Sequence, residues 1–176
     1  MSNLLINLSY YWHLEQRNTA LGIFAGVLFI GIAGTVFYKI VQNNHAKKEL
    51  DCLAKNIYYE ARGEPAEGQY AVGVVTMNRV KSRAYPNGIC KVVYQWVWDE
   101  KRLRNVSAFS WTTQAVDLDP QQDAWRNALS IAQKIYFKEH TDTLNDALFY
   151  HADYVNPYWA AKKVPVRKIG RHIFYR

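Results

Sequence analysis

The chain has 176 residues, of which 49% are hydrophobic and 15% aromatic, and this composition excludes an intrinsically disordered protein. Its 22 Lys and Arg residues outnumber 15 Asp and Glu residues, and the resulting net charge of +7 suits an anionic polymer or a membrane surface as partner. The sequence carries no nucleic-acid-binding motif, so a nucleic-acid partner is not expected.

An uncharged segment lies near the N-terminus. Residues 19–38 contain no charged side chain. A helix of that length, at about 1.5 Å per residue, would cross a hydrocarbon layer about 30 Å thick. The sequence therefore predicts a tail at residues 1–18, one transmembrane helix at 19–40, a linker at 41–49 and a domain at 50–176.

The small residues of this span leave two interpretations open. Gly22 and Gly26 have the spacing of pairing membrane helices, which would allow a weak dimer. Alternatively, weak hydrophobicity would let the segment leave the bilayer. In this respect the layout resembles the signal-arrest-release endolysins of bacteriophages, which implies a role in phage lysis.

Two signals disagree on the orientation of the span. Arg17 precedes it, whereas lysines follow it at positions 39, 47 and 48, and positive residues normally stay in the cytoplasm. The only two cysteines, Cys52 and Cys90, lack metal-site spacing and suit one disulfide in an oxidising compartment, with two buried thiols as the alternative. We expect a single-pass protein of the bacterial inner membrane with its domain in the periplasm.

The predicted domain begins with a helix that ends beside two acids. Apolar residues recur at helical spacing from Leu50 to Ala61. Glu60 lies at the flank of this stripe, where a carboxyl group can be partly covered and still reach a cleft, as a general acid with a raised pKa requires. Gly63 is expected to end the helix, and Pro65 can open the next.

Further elements are predicted along the domain. A second helix is predicted over residues 66–82 and a third over about 120–139. The stretch between them, residues 91–118, is rich in aromatic residues and contains no predicted element. Short strands are predicted at Ala147–His151 and Ile169–Arg176.

Four blocks of the sequence, in the same order, resemble the SleB/CwlJ-type cell wall hydrolases. They are Ile57–Glu64 with Glu67–Gln69 and Val72–Val80, then Phe109–Trp111, then Tyr150–His151 with Pro157–Ala160, and finally Ile169–Tyr175. The resemblance covers roughly residues 50–176. It implies an α+β, mainly helical, lysozyme-like transglycosylase domain with a small antiparallel sheet, which acts on peptidoglycan glycan strands as a lytic transglycosylase without a cofactor or metal.

The resemblance also implies site residues. The family's catalytic glutamate corresponds to Glu60, and Ala108 stands where many relatives have glutamine, which puts a substrate hydrogen bond there in doubt. Each of the other candidates for substrate binding could instead serve internal packing or hydrogen bonding. These candidates are Gln69, Phe109, Ser110, Trp111, Tyr150 and His151.

One carboxyl group is sufficient for transglycosylase chemistry. It gives its proton to the departing glycosidic oxygen and then removes a proton from the sugar's own 6-hydroxyl, which attacks. We predict that Glu60 performs both steps with a pKa raised by partial burial. Hydrolysis by water would need a second carboxyl about 5 to 9.5 Å away. Glu64 is the candidate, although its place beside Gly63 and Pro65 favours a cap of the next helix or a pair with Arg62.

Two rival functions follow from other residues. His151, Asp153 and His172 could bind zinc in a murein amidase or endopeptidase, although their spacing is unlike the compact zinc motifs. The second rival is a membrane-tethered module that binds the cell wall through an aromatic groove without cleaving it.

Overall fold

The structure is a computed structural model that describes residues 2–114, 122–137 and 142–176, with the backbone alone for residues 2–20 and 22. It divides into two units, Met1–His45 and Ala46–Arg176. Helix α1, Ser2–Ala61, contributes to both units. Residues 41–49, the predicted linker, are part of this helix.

The first unit is helical throughout its described residues. From Ile23 onward, the helix is long and apolar enough to cross a membrane, and its apolar window is not buried. Side chains such as Phe29, which is 73% exposed, contact little protein within the unit. The predicted apolar helix is therefore present in the fold.

The second unit combines helices with two small antiparallel sheets, as the α+β prediction requires. Besides the end of α1, its helices are α2 (Ala66–Lys81), α3 (Ile89–Val93) and α4 (Asp123–Tyr136), with 3₁₀ turns at Ser110–Thr113 and Ala160–Lys162. Its strands are β1 (Trp96–Asp99), β2 (Arg104–Ser107), β3 (Phe149–Ala152), β4 (Pro165–Ile169) and β5 (His172–Tyr175).

The predicted elements differ from the observed ones in several places; α3 was not predicted, and β3 begins two residues later than predicted. Helix α4 begins at Asp123, and part of its predicted start lies outside the described residues. The β1–β2 hairpin lies in the stretch 91–118, which had no predicted element. The single C-terminal strand predicted at Ile169–Arg176 is instead the turn and second strand of a β4–β5 pair.

Helices α1, α2 and α4 pack against one another in the core of the second unit. The stripe on α1 buries Leu53 and Ile57 completely, and α4 contributes the fully buried Ile135. Gly73 of α2 lies between them, and a Cβ atom at this position would stand 2.5 Å from the Ile135 Cδ1 atom and 2.9 Å from the Ile57 Cδ1 atom. Glycine therefore permits the close packing of α2 against both neighbours.

The larger sheet has the strand order β3–β5–β4, so β5 pairs with both neighbours. The β4–β5 turn contains Gly170, whose φ of +55° favours glycine. A Cβ atom at Gly170 would lie 2.1 Å from the Glu64 Oε2 atom. The loop between α1 and α2 therefore packs directly onto this turn.

A disulfide joins Cys52 of α1 to Cys90 of α3 and confirms the predicted pairing. It closes a segment with a sequence separation of 38 residues. The backbone N–H of Ile89 also donates a hydrogen bond to the Glu49 carboxylate, next to this link. The two contacts fix α3 against α1.

Candidate active site

Glu60 lies in the last turn of α1, at the edge of the buried stripe. Burial raises the pKa of its carboxyl group above the ordinary value, while the Tyr150 hydroxyl and the positive charge of Arg79 lower that pKa in part. A carboxyl group with a raised pKa is protonated more often near neutral pH than an exposed one. Such a group suits proton donation.

Tyr150 of β3 is the direct partner of this carboxyl group. Its hydroxyl donates a hydrogen bond to the Glu60 Oε2 atom at 3.2 Å. Burial raises the pKa of Tyr150 well above its ordinary value, and the charge of Glu60 raises it further. The phenol therefore stays protonated and remains a donor.

Two aromatic rings of strand β5 pack against the Tyr150 ring. The His172 ring meets it edge-on at 5.3 Å, and the Phe174 ring lies 5.7 Å away. Phe174 is fully buried. The sheet therefore fixes the hydroxyl that bonds to Glu60.

Arg79 of α2 supplies the positive charge near Glu60. Its Nε atom donates to the Leu148 carbonyl oxygen at 2.8 Å, and its guanidinium lies 5.4 Å from the ring centres of Tyr85 and Phe109. These contacts fix the charge in place. Arg79 lies in the family block Val72–Val80, and no role was predicted for it from the sequence.

A cleft of about 460 Å³ opens beside these residues, and we call it the aromatic cleft. Arg79 and Tyr150 both line it, and so does Ala108. Its other aromatic residues are Tyr85, Trp98, Phe149, Tyr158 and Trp159. Trp98 is 59% exposed and Tyr158 is 58% exposed, so both offer open ring faces to a ligand.

Several residues that the sequence analysis assigned to the substrate have internal partners. Gln69 is buried, donates to the Glu64 carbonyl oxygen at 3.0 Å and accepts from the Asn127 amide at 3.0 Å. Phe109 is 4% exposed and belongs to the core. These two side chains support the site from inside the fold.

The remaining assigned residues lie in different places. The Trp111 ring stacks on Tyr59 at 4.6 Å, and its indole N–H donates to the Asn56 Oδ1 atom at 3.3 Å. Ser110 is exposed and lines a separate groove on the β1–β2 hairpin. Both nitrogens of His151 have oxygen partners, the Ala152 carbonyl and the Tyr175 hydroxyl.

Glu64 contacts the β4–β5 turn. Its Oε2 atom accepts a hydrogen bond from the Arg171 backbone N–H at 2.9 Å. Its Oε1 atom lies 3.8 Å from the Nδ1 atom of His172, and 11% of its side chain is exposed. The Arg62 guanidinium lies instead over the Tyr58 ring, 4.9 Å from its centre. Glu64 therefore joins the two loops.

The three residues of the zinc alternative have separate partners. Asp153 pairs with Lys168 at 2.9 Å, whereas His172 faces Glu64. In the described part of the chain, no three His, Cys, Asp or Glu side chains converge as metal ligands.

Comparison with known proteins adds to this geometry. Residues 63–175 match the family described as Cell Wall Hydrolase. A spore cortex-lytic enzyme of Bacillus cereus is 30% identical over 135 residues, which are 76% of this chain and 46% of that protein. The Bacillus subtilis spore cortex-lytic enzyme is 29% identical over 131 residues, 73% of this chain and 38% of that protein. The chain thus spans about half or less of the length of these relatives.

Solved structures resemble the same region. The catalytic domain of the Bacillus cereus SleB protein superposes with a TM-score of 0.55 at 28% identity, over 74% of this chain and 91% of that one. The catalytic domain of SleB from Bacillus anthracis, described as a germination-specific lytic transglycosylase, has the same TM-score and identity over 73% and 93%. The chain therefore belongs to the Cell Wall Hydrolase family, and its second unit has the fold of the SleB catalytic domain.

Proposed function

We propose that this chain is a peptidoglycan-degrading enzyme that cleaves the β-1,4 bond between N-acetylmuramic acid and N-acetylglucosamine. One observation carries the proposal. The Glu60 carboxyl group has a pKa raised by burial and is hydrogen-bonded to Tyr150, which itself lines the aromatic cleft. Family membership and the likeness to spore cortex-lytic enzymes support the same substrate class.

Within this proposal, Glu60 acts twice. The protonated carboxyl gives its proton to the glycosidic oxygen that leaves C1 of the muramyl sugar. The resulting carboxylate then takes the proton of that sugar's 6-hydroxyl, whose oxygen bonds to C1 and closes a 1,6-anhydro ring. Tyr150 and Arg79 stabilise the carboxylate between the two steps, because one donates a hydrogen bond and the other is positively charged.

We propose that the chain acts as a lytic transglycosylase. This reaction needs one carboxyl group. Glu64, the candidate for a second catalytic carboxyl group, is hydrogen-bonded to the β4–β5 turn. The Bacillus anthracis relative carries the name of a lytic transglycosylase, which supports the same reaction.

The aromatic cleft is the proposed binding surface for the glycan strand. Sugar rings present apolar C–H faces that pack on aromatic side chains. Trp98 and Tyr158 are exposed enough for such contacts, and Trp159 lies beside them. In this arrangement, Tyr150 contacts the substrate only near the bond that is cleaved.

We further propose that the chain spans the bacterial inner membrane once and that its enzymatic domain lies in the periplasm. The proposed segments are a tail at 1–18, a transmembrane helix at 19–40, a linker at 41–49 and the domain at 50–176. The exposed apolar helix and the disulfide support this arrangement, since disulfides persist in oxidising compartments. The small residues Gly22 and Gly26 would support a weak dimer or release from the bilayer. A tethered wall-cleaving domain of this kind fits a role in phage lysis.

Mass spectrometry of digested peptidoglycan tests the reaction. We expect products that end in 1,6-anhydro-muramyl residues. Reducing muramyl ends would identify a hydrolase and contradict the transglycosylase proposal. Products cut between sugar and peptide would indicate an amidase and contradict glycan cleavage altogether.

Glu60→Gln tests the residue assignment in the same assay. The loss of proton transfer should lower kcat by about 10² to 10⁴-fold while binding to sacculi is retained. Glu67→Gln is the matched control, because its exposed side chain pairs with Arg167 at the surface and should leave kcat unchanged. Equal activity of Glu60→Gln and the native chain would exclude Glu60 as the proton donor.

A further inference from the structure

The β1–β2 hairpin has a second groove beyond the aromatic cleft. We call it the arginine groove, and its volume is about 340 Å³. Its walls carry two guanidinium groups, one indole ring and several hydroxyl groups, from Trp96, Arg102, Arg104, Ser107, Ser110 and Thr113. This mixture suits a ligand that carries carboxylates on a partly apolar frame.

The hairpin separates the two recesses. Val97 and Trp98 line the aromatic cleft, whereas the adjacent Trp96 lines the arginine groove. On the return side, Ala108 lines the cleft and the adjacent Ser107 lines the groove. A ligand that crosses this thin wall can therefore occupy both.

The two arginines of the groove differ in their contacts within the described residues. Arg104 has no ion pair with any residue in the described ranges 2–114, 122–137 and 142–176. Arg102 lies 3.5 Å from the Asp99 carboxylate, with 64% of its side chain exposed. The Asp99 carboxylate also accepts hydrogen bonds from the N–H groups of Lys101 and Arg102 in the turn, so it holds the hairpin in shape.

Peptidoglycan supplies a ligand of the required chemistry. Its stem peptides branch sideways from the muramyl sugars and carry free carboxylates. A glycan strand in the aromatic cleft would therefore direct some of its stem peptides across the β1–β2 hairpin. The opposite charges of the guanidinium groups and the stem are complementary. The exposed Trp96 ring, 64% accessible, can pack on the aliphatic parts of a peptide.

We propose that the arginine groove binds a carboxylate-bearing stem peptide of the glycan strand that the aromatic cleft holds. Arg104 and Arg102 contact the carboxylate, and Trp96 covers the adjacent aliphatic part. This inference rests on the proposed function. It adds that the enzyme distinguishes peptide-bearing glycan from bare glycan.

The test compares two soluble glycan preparations of matched chain length, one with its stem peptides and one stripped of them by an amidase. The full chain in mild detergent is assayed with both, as the native form and as Arg104→Gln and Arg102→Gln/Arg104→Gln. Arg176→Gln is the control, because it removes one exposed arginine outside the groove. Thermal melting of every variant verifies that it is folded.

On peptide-bearing strands, we expect Arg104→Gln to raise KM about fivefold, the upper range for one exposed ion pair, with kcat unchanged. On stripped strands, both variants should match the native chain in KM and kcat. Arg104→Lys should restore part of the lost affinity, because it keeps the charge but loses the two-pronged contact.

Other outcomes overturn the inference. Unchanged KM values of the arginine variants on both substrates would show that the stem peptide does not bind in the groove. Equal increases on both substrates would mean that the groove contacts the sugars instead. Failure of the native chain to cleave either preparation is a different result, because it would contradict the proposed function itself.

Discussion

The Tyr150 hydroxyl donates a hydrogen bond to the Glu60 carboxylate at 3.2 Å, although 90 residues separate the two in the sequence. Burial of Glu60 favours its protonated form, and this hydrogen bond favours its ionised form. The proposed reaction uses both forms in turn. The hydrogen bond therefore offsets part of the effect of burial, so that both the protonated and the ionised form of Glu60 are accessible.

Tyr150→Phe should move the pH dependence of the reaction. Without the hydroxyl, the pKa of Glu60 rises further, because a hydrogen bond that stabilises the carboxylate is lost. The proposed proton donor then remains protonated to higher pH, so the alkaline limb of the kcat/KM profile should shift to higher pH. The maximal kcat should fall about tenfold, since the carboxylate that forms is less stable. Steady-state rates across the pH range measure both effects.

Tyr154→Phe is the control for this change. Tyr154 is 72% exposed, and removing its hydroxyl should leave the pH profile in place. A Tyr150→Phe profile that coincides with the native one would contradict the proposed tuning of Glu60.

Glu60→Gln should stabilise the fold at neutral pH. Because burial raises the pKa of Glu60 in the folded state, ionisation costs stability as the pH rises above the unfolded value of 4.5. The neutral glutamine does not ionise, so the Tm of the variant should exceed that of the native chain at pH 7. Below pH 4.5, the gain should disappear.

Scanning calorimetry at several pH values measures this effect. Glu67→Gln is the matched variant, because it makes the same change in an exposed side chain, and it should not raise Tm at pH 7. A Glu60→Gln protein that melts below the native chain at pH 7 would contradict a costly buried charge.

Gly170→Ala should destabilise the second unit by about 2 to 4 kcal/mol. The φ of +55° costs a non-glycine residue about 1 to 2 kcal/mol, and the new Cβ atom would displace the Glu64 carboxylate from the Arg171 N–H. Urea unfolding measures the free energy of unfolding.

Gly63→Ala is the control for this substitution, since a Cβ atom there would have no neighbour within 4 Å. It should change the free energy of unfolding by less than about 1 kcal/mol. Equal losses in the two variants would mean that neither the positive φ of Gly170 nor its contact with Glu64 contributes to stability.

Loss of the disulfide should lower the free energy of unfolding by about 2 to 4 kcal/mol, because the bond closes a long loop in the unfolded chain. Cys52→Ser/Cys90→Ser removes it without leaving a free thiol. Reduction of the native chain by dithiothreitol should give a similar loss, and the double variant should not respond to dithiothreitol. A native chain that is as stable reduced as oxidised would contradict this expectation.

Local patterns were sufficient to predict the helices around the site. The apolar period on α1 predicted both the buried face and the position of Glu60 at its flank, because helical geometry relates sequence spacing to direction. The same kind of pattern predicted α2 to within one residue at its C-terminal end. Sequence periodicity therefore predicted the type and the C-terminal boundary of α1 and α2.

The strands were harder to predict for specific reasons. Trp96, Val97 and Trp98 are all apolar and all exposed, so β1 lacks the alternation that marks a strand with one buried face. Strand β4 begins at Pro165 and carries charged residues, which weakens its signal. Neither strand has a local pattern that specifies its partner.

Long-range contacts account for the rest of the site. The bond from Tyr150 to Glu60 and the contact of Glu64 with Arg171 join distant parts of the chain, and no periodicity predicts such pairs. Phe109 and Gln69 lie in family blocks but face the interior. Membership in a block did not indicate the direction of a side chain.

The position of β5 in the middle of its sheet has a consequence during synthesis. Among the described strands, β3, which carries Tyr150, pairs with β5 alone, and β5 begins at His172 whereas β3 ends at Ala152. A nascent chain therefore exposes Glu60 long before the strand that holds Tyr150 in place has left the ribosome. The hydrogen bond from Tyr150 to Glu60 is therefore expected to form only after translation has passed Tyr175.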